Sequence, residues 1–227
     1  IDQLIDFVPS KLVHLGEYSR VEQSFFEVTK VWEYNCLGTF RVLEFCKRLN
    51  VKLIYAGSST KFSDSELGIN QSPYAWSKAT NTELVRNYGD WFGLEYAITY
   101  FYNVYGPGEI STGDYATIVG IFTEQYRKSE PLTVVLPGSQ RRNFTHIYDI
   151  IDGLVSVIEF GNGDNYGIGS DAQYSILEVA KMFDTNIKFL PERRGNRDNA
   201  QLNTSKTKSI GWMAKRCLKD FIKEIVK

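Results

Sequence analysis

The chain has 227 residues, 43% of them apolar, with a formal net charge of -1. That length is enough for one large core or one and a half ordinary domains, and the near-neutral charge without a basic stretch excludes a general nucleic-acid or membrane-surface binder. Apolar runs are too short to span a bilayer. Cys36, Cys46 and Cys217 lack both CxxC spacing and an even count, as expected of reduced thiols in a cytoplasmic protein, and no metal site is expected.

In chain order, residues 1–9 read as an amphipathic helix in progress, with no initiator Met and no signal peptide before it. Residues 11–15 predict a short apolar strand. Residues 23–49 predict a long helix carrying Val28, Val31, Trp32, Leu37, Phe40, Val42, Leu43 and Phe45, closed by Asn50. A buried strand over 51–56 ends in Gly57 and Ser58, and 59–73 read as polar loop. A second helix over 74–92 stops at Gly93, and a strand over 95–101 runs into the turn Tyr105, Gly106, Pro107, Gly108. Strands separated by helices of this length point to βαβ units and a parallel sheet.

The second half is more mixed. It predicts helix 115–128, strand 132–136, an extended stretch 144–147, and helix 148–160 with Asp149 in its first turn. A strand over 166–168, helix 175–183, strand 187–190 and a terminal helix over 218–226 complete it. No repeat or linker divides the halves. The expected architecture is α/β: a doubly wound parallel-sheet domain over 1–114, and a smaller α/β cap over 115–227 from which residues 142–160 return to the sheet.

Tyr74 and Lys78 stand four apart in YAWSK, so on a helix the phenol and the ammonium lie one turn apart on one face. The ammonium favours the phenolate and draws the Tyr pKa from about 10 towards working pH. Such a tyrosinate takes a proton from a sugar hydroxyl. The spacing alone is weak, since 14 tyrosines give roughly one chance match. Its context carries the argument. Pro73 puts Tyr74 at a helix start, and the loop before it leaves a buried strand at Gly57, Ser58 and Ser59. Ligands of open α/β sheets bind outside the carboxyl ends of the strands, where both groups lie. A turn role for Ser58, and a solvated Lys78 beside an exposed Tyr74, are the plain structural alternatives.

Seven segments follow one another in order: LVHLG (12–16), NCLGT (35–39), YAGS (55–58), SPYAWSK (72–78), FYNVYGP (101–107), RNFTHIYD (142–149), and SK (205–206) with GW (211–212). Together they resemble the extended short-chain dehydrogenase/reductase family, in particular its sugar-nucleotide epimerases and dehydratases. The resemblance implies a Rossmann-like doubly wound sheet lacking its first βα units, a bound NAD (with NADP left open) and a nucleotide-sugar substrate. It makes Tyr74 the acid/base, Lys78 the holder of the nicotinamide ribose, and Ser58 the bridge to the sugar hydroxyl. His14, Leu15, Gly16, Asn35 and Phe101 would line the cofactor with Tyr74 and Lys78. Asn103 would contact the nucleotide sugar, and Arg142 and Arg193 its diphosphate, although Arg194 is an equally close candidate. A homodimer through helices 23–49 and 74–92 is also implied, and Phe25, Phe26, Trp76 and Trp91 exceed what one buried face needs.

In the dehydratases of that family an Asp-Glu pair follows the catalytic hydroxyl, and in decarboxylating members a Glu. Here Ser59 and Thr60 stand there, and neither is a carboxylate acid or base. The expected reaction is therefore epimerisation, at C4 of a nucleotide-linked hexose. A sugar-nucleotide reductase or dehydratase, and a non-catalytic dinucleotide-binding sensor, are the alternatives. The chain departs from the family at Asn143, Asn196 and Asn203, where Asp is usual, at Tyr100 for Arg, and at Glu17 for a small residue beside the cofactor strand. Ala116 falls near where some epimerases place Asn against the base. No GxxGxxG loop occurs. In relatives it lies on roughly 60 to 80 residues ahead of the point where this chain begins, which makes a fragment the expectation.

Overall fold

The computed structural model describes residues 8–59, 68–192 and 202–227. Residues 1–7 of the first expected helix, together with Thr60, Arg193, Arg194 and Asn196, lie outside them. Strand β1 (Lys11–His14) leads through a 3-10 turn (Gln23–Phe25), α1 (Val28–Val31), a π-helical stretch (Trp32–Leu37) and α2 (Gly38–Leu49) to β2 (Lys52–Ser58). Then come α3 (Pro73–Phe92), β3 (Tyr96–Phe101), β4 (Val104–Tyr105), α4 (Ile118–Arg127), β5 (Leu132–Val135), β6 (Arg141–Asn143) and β7 (Thr145–His146). The chain closes with α5 (Ile147–Phe160), β8 (Gly163–Ile168), β9 (Gln173–Ser175), α6 (Ile176–Lys181), β10 (Ile187–Leu190), α7 (Ser205–Ser209) and α8 (Leu218–Ile225).

β1, β2, β3 and β8 form one parallel sheet in that order. A parallel sheet is covered on both faces, so its central strands carry apolar residues at successive positions rather than alternating ones, as at Leu53, Ile54 and Tyr55. Successive side chains then serve opposite faces. Leu53, Tyr55, Ile98 and Tyr100 pack with Leu43, Phe45, Val85 and Tyr88 of α2 and α3. Ile54 and Ala97 pack with Ile150 and Val157 of α5, joined by Ile168 and Trp212. Burying each Leu, Ile or Phe fully contributes about 2 kcal/mol. A third cluster gathers Val119 and Phe122 of α4, Leu132 and Val134 of β5, Val179 of α6 and Ile222 of α8. β5 pairs there with β10, also in parallel.

One carboxylate ties the last segment to the sheet. Asp149, 1% exposed, accepts from the backbone N–H groups of Lys215 (3.0 Å) and Arg216 (2.9 Å) and from the Arg216 guanidinium (2.5 Å). Trp212 donates its indole N–H to the Asp149 carbonyl at 3.0 Å.

The expected helix over 23–49 is not continuous. It begins as a 3-10 turn, restarts at Val28 and widens into the π stretch before α2. A π turn carries an extra residue, often at a functional site, and here it turns Asn35 inward to full burial. Its side chain bonds both backbone groups of Tyr18 (2.6 and 3.1 Å) and the Ser77 hydroxyl (2.9 Å). The helix expected from 115 starts only at Ile118, because the Thr117 hydroxyl caps it by accepting from the Gly120 N–H at 3.2 Å. The extended stretch expected over 144–147 is the short strand β7, preceded by an unexpected β6 that pairs antiparallel with β9. α3 matches its expectation to within a residue: Ser72 caps it, Pro73 opens it, and Gly93 closes it at φ 69°.

Candidate active site

The sheet register builds the site. His14 lies opposite Tyr55, and Ser58 opposite Phe101, so the carboxyl ends of β1, β2 and β3 stand side by side. α3 returns along this edge and brings Tyr74 and Lys78 to it. The Tyr74 hydroxyl donates to the Ser58 Oγ at 3.1 Å. The Lys78 Nζ donates to the Ala56 carbonyl at 2.5 Å and sits 4.5 Å over the Tyr55 ring. Between Ala56 and Ser58, Gly57 leaves room for the Tyr100 ring of β3, because a Cβ there would come within 2.6 Å of that buried ring.

The main partner of Lys78 is Glu17, whose carboxylate it contacts directly, with the two side chains 6% and 5% exposed. Glu17 gathers three more donors: the Thr39 hydroxyl (2.7 Å), the Tyr55 hydroxyl (3.1 Å) and the Asn81 amide (2.8 Å). Two charges removed from water are tolerated only when their attraction is supplemented by hydrogen bonds to the remaining lone pairs, and this carboxylate has them. Burial pushes the Lys78 ammonium's pKa down, and the Glu17 carboxylate opposes that push. His14 completes the cluster, its Nε2 3.0 Å from the Thr39 hydroxyl oxygen. Burial first, and the Lys78 charge second, lower its pKa to about 4, so its ring is neutral at pH 7. Sequence patterning flagged Glu17 only as an odd residue. Its link to Lys78 spans 61 positions and carries no periodic signal.

Two cavities draw part of their lining from residues 14–22. One, about 710 Å³, is lined by His14, Gly16, Gly38, Arg41, Glu44 and Arg48 among others. Space is open beside Gly16, where an added Cβ would meet nothing within 4 Å, and Leu15 is 55% exposed. The other, about 540 Å³, has Arg20, Glu22, Asn103, Ala116, Gln140 and Arg142 in its wall. Asn103 and Arg142, expected at the substrate, are thus on one cavity. Asn103 holds the left-handed backbone, φ 34°, and its amide donates to the Asn143 carbonyl at 3.1 Å. Arg193 lies outside the described residues.

Arg20 was not foreseen. Its guanidinium stacks 5.2 Å over the Tyr115 ring. Burial lowers its pKa, while the phenols of Tyr115, Tyr74 and Tyr18 pull it back up. The substitutions at 143, 100 and 203 all find partners. The buried Asn143 donates to the Ser170 carbonyl at 2.8 Å, the Tyr100 hydroxyl donates to Asp164 at 2.6 Å, and the Asn203 oxygen accepts from the Ser205 N–H at 3.2 Å.

A parallel sheet with serine, tyrosine and lysine at its carboxyl edge is the arrangement of a dinucleotide-binding α/β protein. The model of the NAD dependent epimerase/dehydratase family matches residues 1–169, and the chain belongs to that family. It is 27% identical over 243 residues to a putative UDP-glucose 4-epimerase of Methanocaldococcus jannaschii, across 100% of this chain and 79% of that one. It is 31% identical over 191 residues to a dTDP-D-glucose 4,6-dehydratase of Dictyostelium discoideum, across 75% of this chain and 43% of that protein. The solved UDP-glucose 4-epimerase of Thermus thermophilus, a complex with NAD, shares the fold with a TM-score of 0.88 at 23% identity, over 99% of this chain and 79% of that one. Among the described residues no helix is long and apolar enough to cross a membrane.

Proposed function

We propose that this chain carries the acid/base half of a NAD-dependent nucleotide-sugar epimerase acting at C4. The observation that carries the reading is the Tyr74–Ser58 hydrogen bond at the carboxyl edge of the sheet, with a buried ammonium one helical turn away. The residue after Ser58 is Ser59, not a carboxylate, which favours epimerisation over elimination of water. The name of the archaeal relative points the same way.

The residues fit a dinucleotide. The open space at Gly16, the exposed Leu15 and the cavity beside His14 leave room for a flat ring along β1. The Lys78 ammonium has three donors, of which Glu17 and Ala56 take two. In this reading Lys78, Tyr74, His14, Leu15, Gly16, Asn35 and Phe101 hold the cofactor, Asn35 and Phe101 by shaping its walls. Bound NAD supplies a hydride acceptor and donor. The chain supplies the proton chemistry. Tyr74, as phenolate beside Lys78, takes the proton of the sugar's C4 hydroxyl while that carbon becomes a ketone, and gives it back when the alcohol re-forms. Ser58 bonds the same oxygen and fixes its distance from Tyr74. Arg142 pairs with the diphosphate, and residues 115–227, apart from α5 and β8 that belong to the sheet, serve mostly as the cap over the site.

The Glu17–Lys78 contact favours a second reading, a binding protein without turnover, because the carboxylate offsets the charge that would activate Tyr74. The two readings separate in one experiment. With UDP-glucose deuterated at C4 and unlabelled NAD, the epimerase reading expects the C4 epimer with its label retained and no NADH released. Binding of NAD and UDP-glucose without any epimer establishes the second reading, and NADH released in step with product establishes a reductase or oxidase.

The helices at 23–49 and 74–92 also support a homodimer. Trp32 and Trp76 stack at 5.9 Å and 13°, both exposed, with Phe26 at 85% and Trp91 at 61% exposure on the same two helical segments. Replacing Trp32 and Trp76 with Glu is expected to convert a sedimenting dimer into a monomer.

A further inference from the structure

Arg20 is a half-buried cation in the wall of the 540 Å³ cavity. Among the described residues its Nε is buried with no hydrogen-bond partner, and no carboxylate lies within ion-pair distance of it. Gln140, on the same wall, likewise has its amide oxygen buried without a partner among them. Buried polar atoms are paired in folded proteins, and a guanidinium with an unpaired Nε in a cavity wall marks a place for an anion. The charged groups of this cavity are Arg20, Arg142 and Glu22, a net charge of +1 by that count.

The two guanidinium groups enter from different elements. Arg142 stands on β6, beside Gln140 and Phe144. Arg20 stacks over Tyr115, and its charge also interacts with the phenols of Tyr18 and of Tyr74, the phenol proposed to handle the C4 hydroxyl. Resting on the nucleotide-sugar reading, a diphosphate at Arg142 leaves Arg20 facing the reacting ring itself. On a hexose reacting at C4, the neighbouring carbons are C3, which carries a hydroxyl, and C5, which carries the sixth carbon. Oxidation of that sixth carbon gives an anion there without adding any substituent to the ring. We propose that Arg20 binds a carboxylate on C5 of the sugar, so that the preferred substrate is a nucleotide-linked uronic acid rather than a neutral hexose. The fork of the guanidinium matches a carboxylate bidentately, and stacking on Tyr115 holds its plane.

Isothermal titration of the chain with UDP-glucuronate, UDP-glucose and UDP, each with NAD present, tests this without any turnover. Wild type is expected to bind UDP-glucuronate at least about 10-fold more tightly than UDP-glucose, the effect of one charge-assisted pair. Arg20→Gln is expected to erase that preference while leaving UDP within about two-fold of wild type, and Arg20→Lys to retain part of it. Should Arg20→Gln fail to fold, the wild-type preference still decides. Equal wild-type affinity for the acidic and neutral sugars overturns the proposal. So does an Arg20→Gln variant that weakens UDP as much as UDP-glucuronate, which would assign Arg20 to the diphosphate. Failure of all three ligands, UDP included, overturns the nucleotide-sugar reading along with it.

Discussion

Two polar regions flank the carboxyl edge of the sheet, and they are finished to different degrees. The cluster around Lys78 is closed. Its ammonium has a carboxylate, that carboxylate has four donors, and the groups are buried. The wall around Arg20 is unfinished, with a buried donor and a buried acceptor, on two residues that line a cavity, unsatisfied among the described residues. Polar groups of the first kind hold a shape, and those of the second await a ligand. The contrast predicts that breaking the Glu17–Lys78 pair costs stability, whereas substitutions around Arg20 act on binding.

Glu17→Gln should have the largest effect on stability. It leaves the Lys78 charge buried and uncompensated, and unfolding in urea should show a loss of about 3–5 kcal/mol. A loss below about 1 kcal/mol would mean that the cluster is not closed.

The pH dependence comes next. His14 stays neutral in the folded chain until about pH 4, whereas in the unfolded chain it takes its proton near 6.5. The unfolded state therefore binds more protons between those values. Stability is complete above about pH 6.5 and falls as the pH drops towards 4, by about 3 kcal/mol in all from this group. His14→Gln should flatten that slope in urea titrations at pH 4 to 7.

Gly57→Ala follows. Its Cβ would press to 2.6 Å on the Tyr100 ring, which is fully buried and hydrogen-bonded to Asp164. The cost should be about 1–3 kcal/mol, with the Ser58–Tyr74 contact displaced and Arg20-dependent binding intact. Lys223→Met, in the exposed Lys223–Asp220 pair at 3.6 Å, should leave the unfolding midpoint within error of wild type. That contrast with Glu17→Gln isolates burial as the cause.

Much of this was legible in the sequence, for reasons that differ by residue. Ser72, Pro73 and Gly93 bound α3 by local chemistry, so its ends could be read. Within the strand expected over 51–56, the unbroken apolar run Leu53 to Ala56 declared a two-sided sheet. Asn35 belonged to a recognisable segment, but the π turn that turns it inward could not be read, because helical periodicity in that stretch fits a regular helix equally well. Glu17 and Arg20 were hidden for another reason. Both sit in the loop after β1, where no period exists, and their meaning depends on Lys78, Tyr74 and Tyr115, tens of residues away. Asp149 was read as an acid in a helix's first turn, yet it also anchors the segment around 212–216 through long-range bonds.

The central claim is that Tyr74 moves the proton while the rest of the site binds. Tyr74→Phe removes one oxygen and keeps the ring. With NAD and a nucleotide sugar turned over by the wild type, the account predicts turnover reduced by about 10²- to 10⁴-fold and ligand affinity within about two-fold of wild type. Turnover at the wild-type rate in Tyr74→Phe would contradict it.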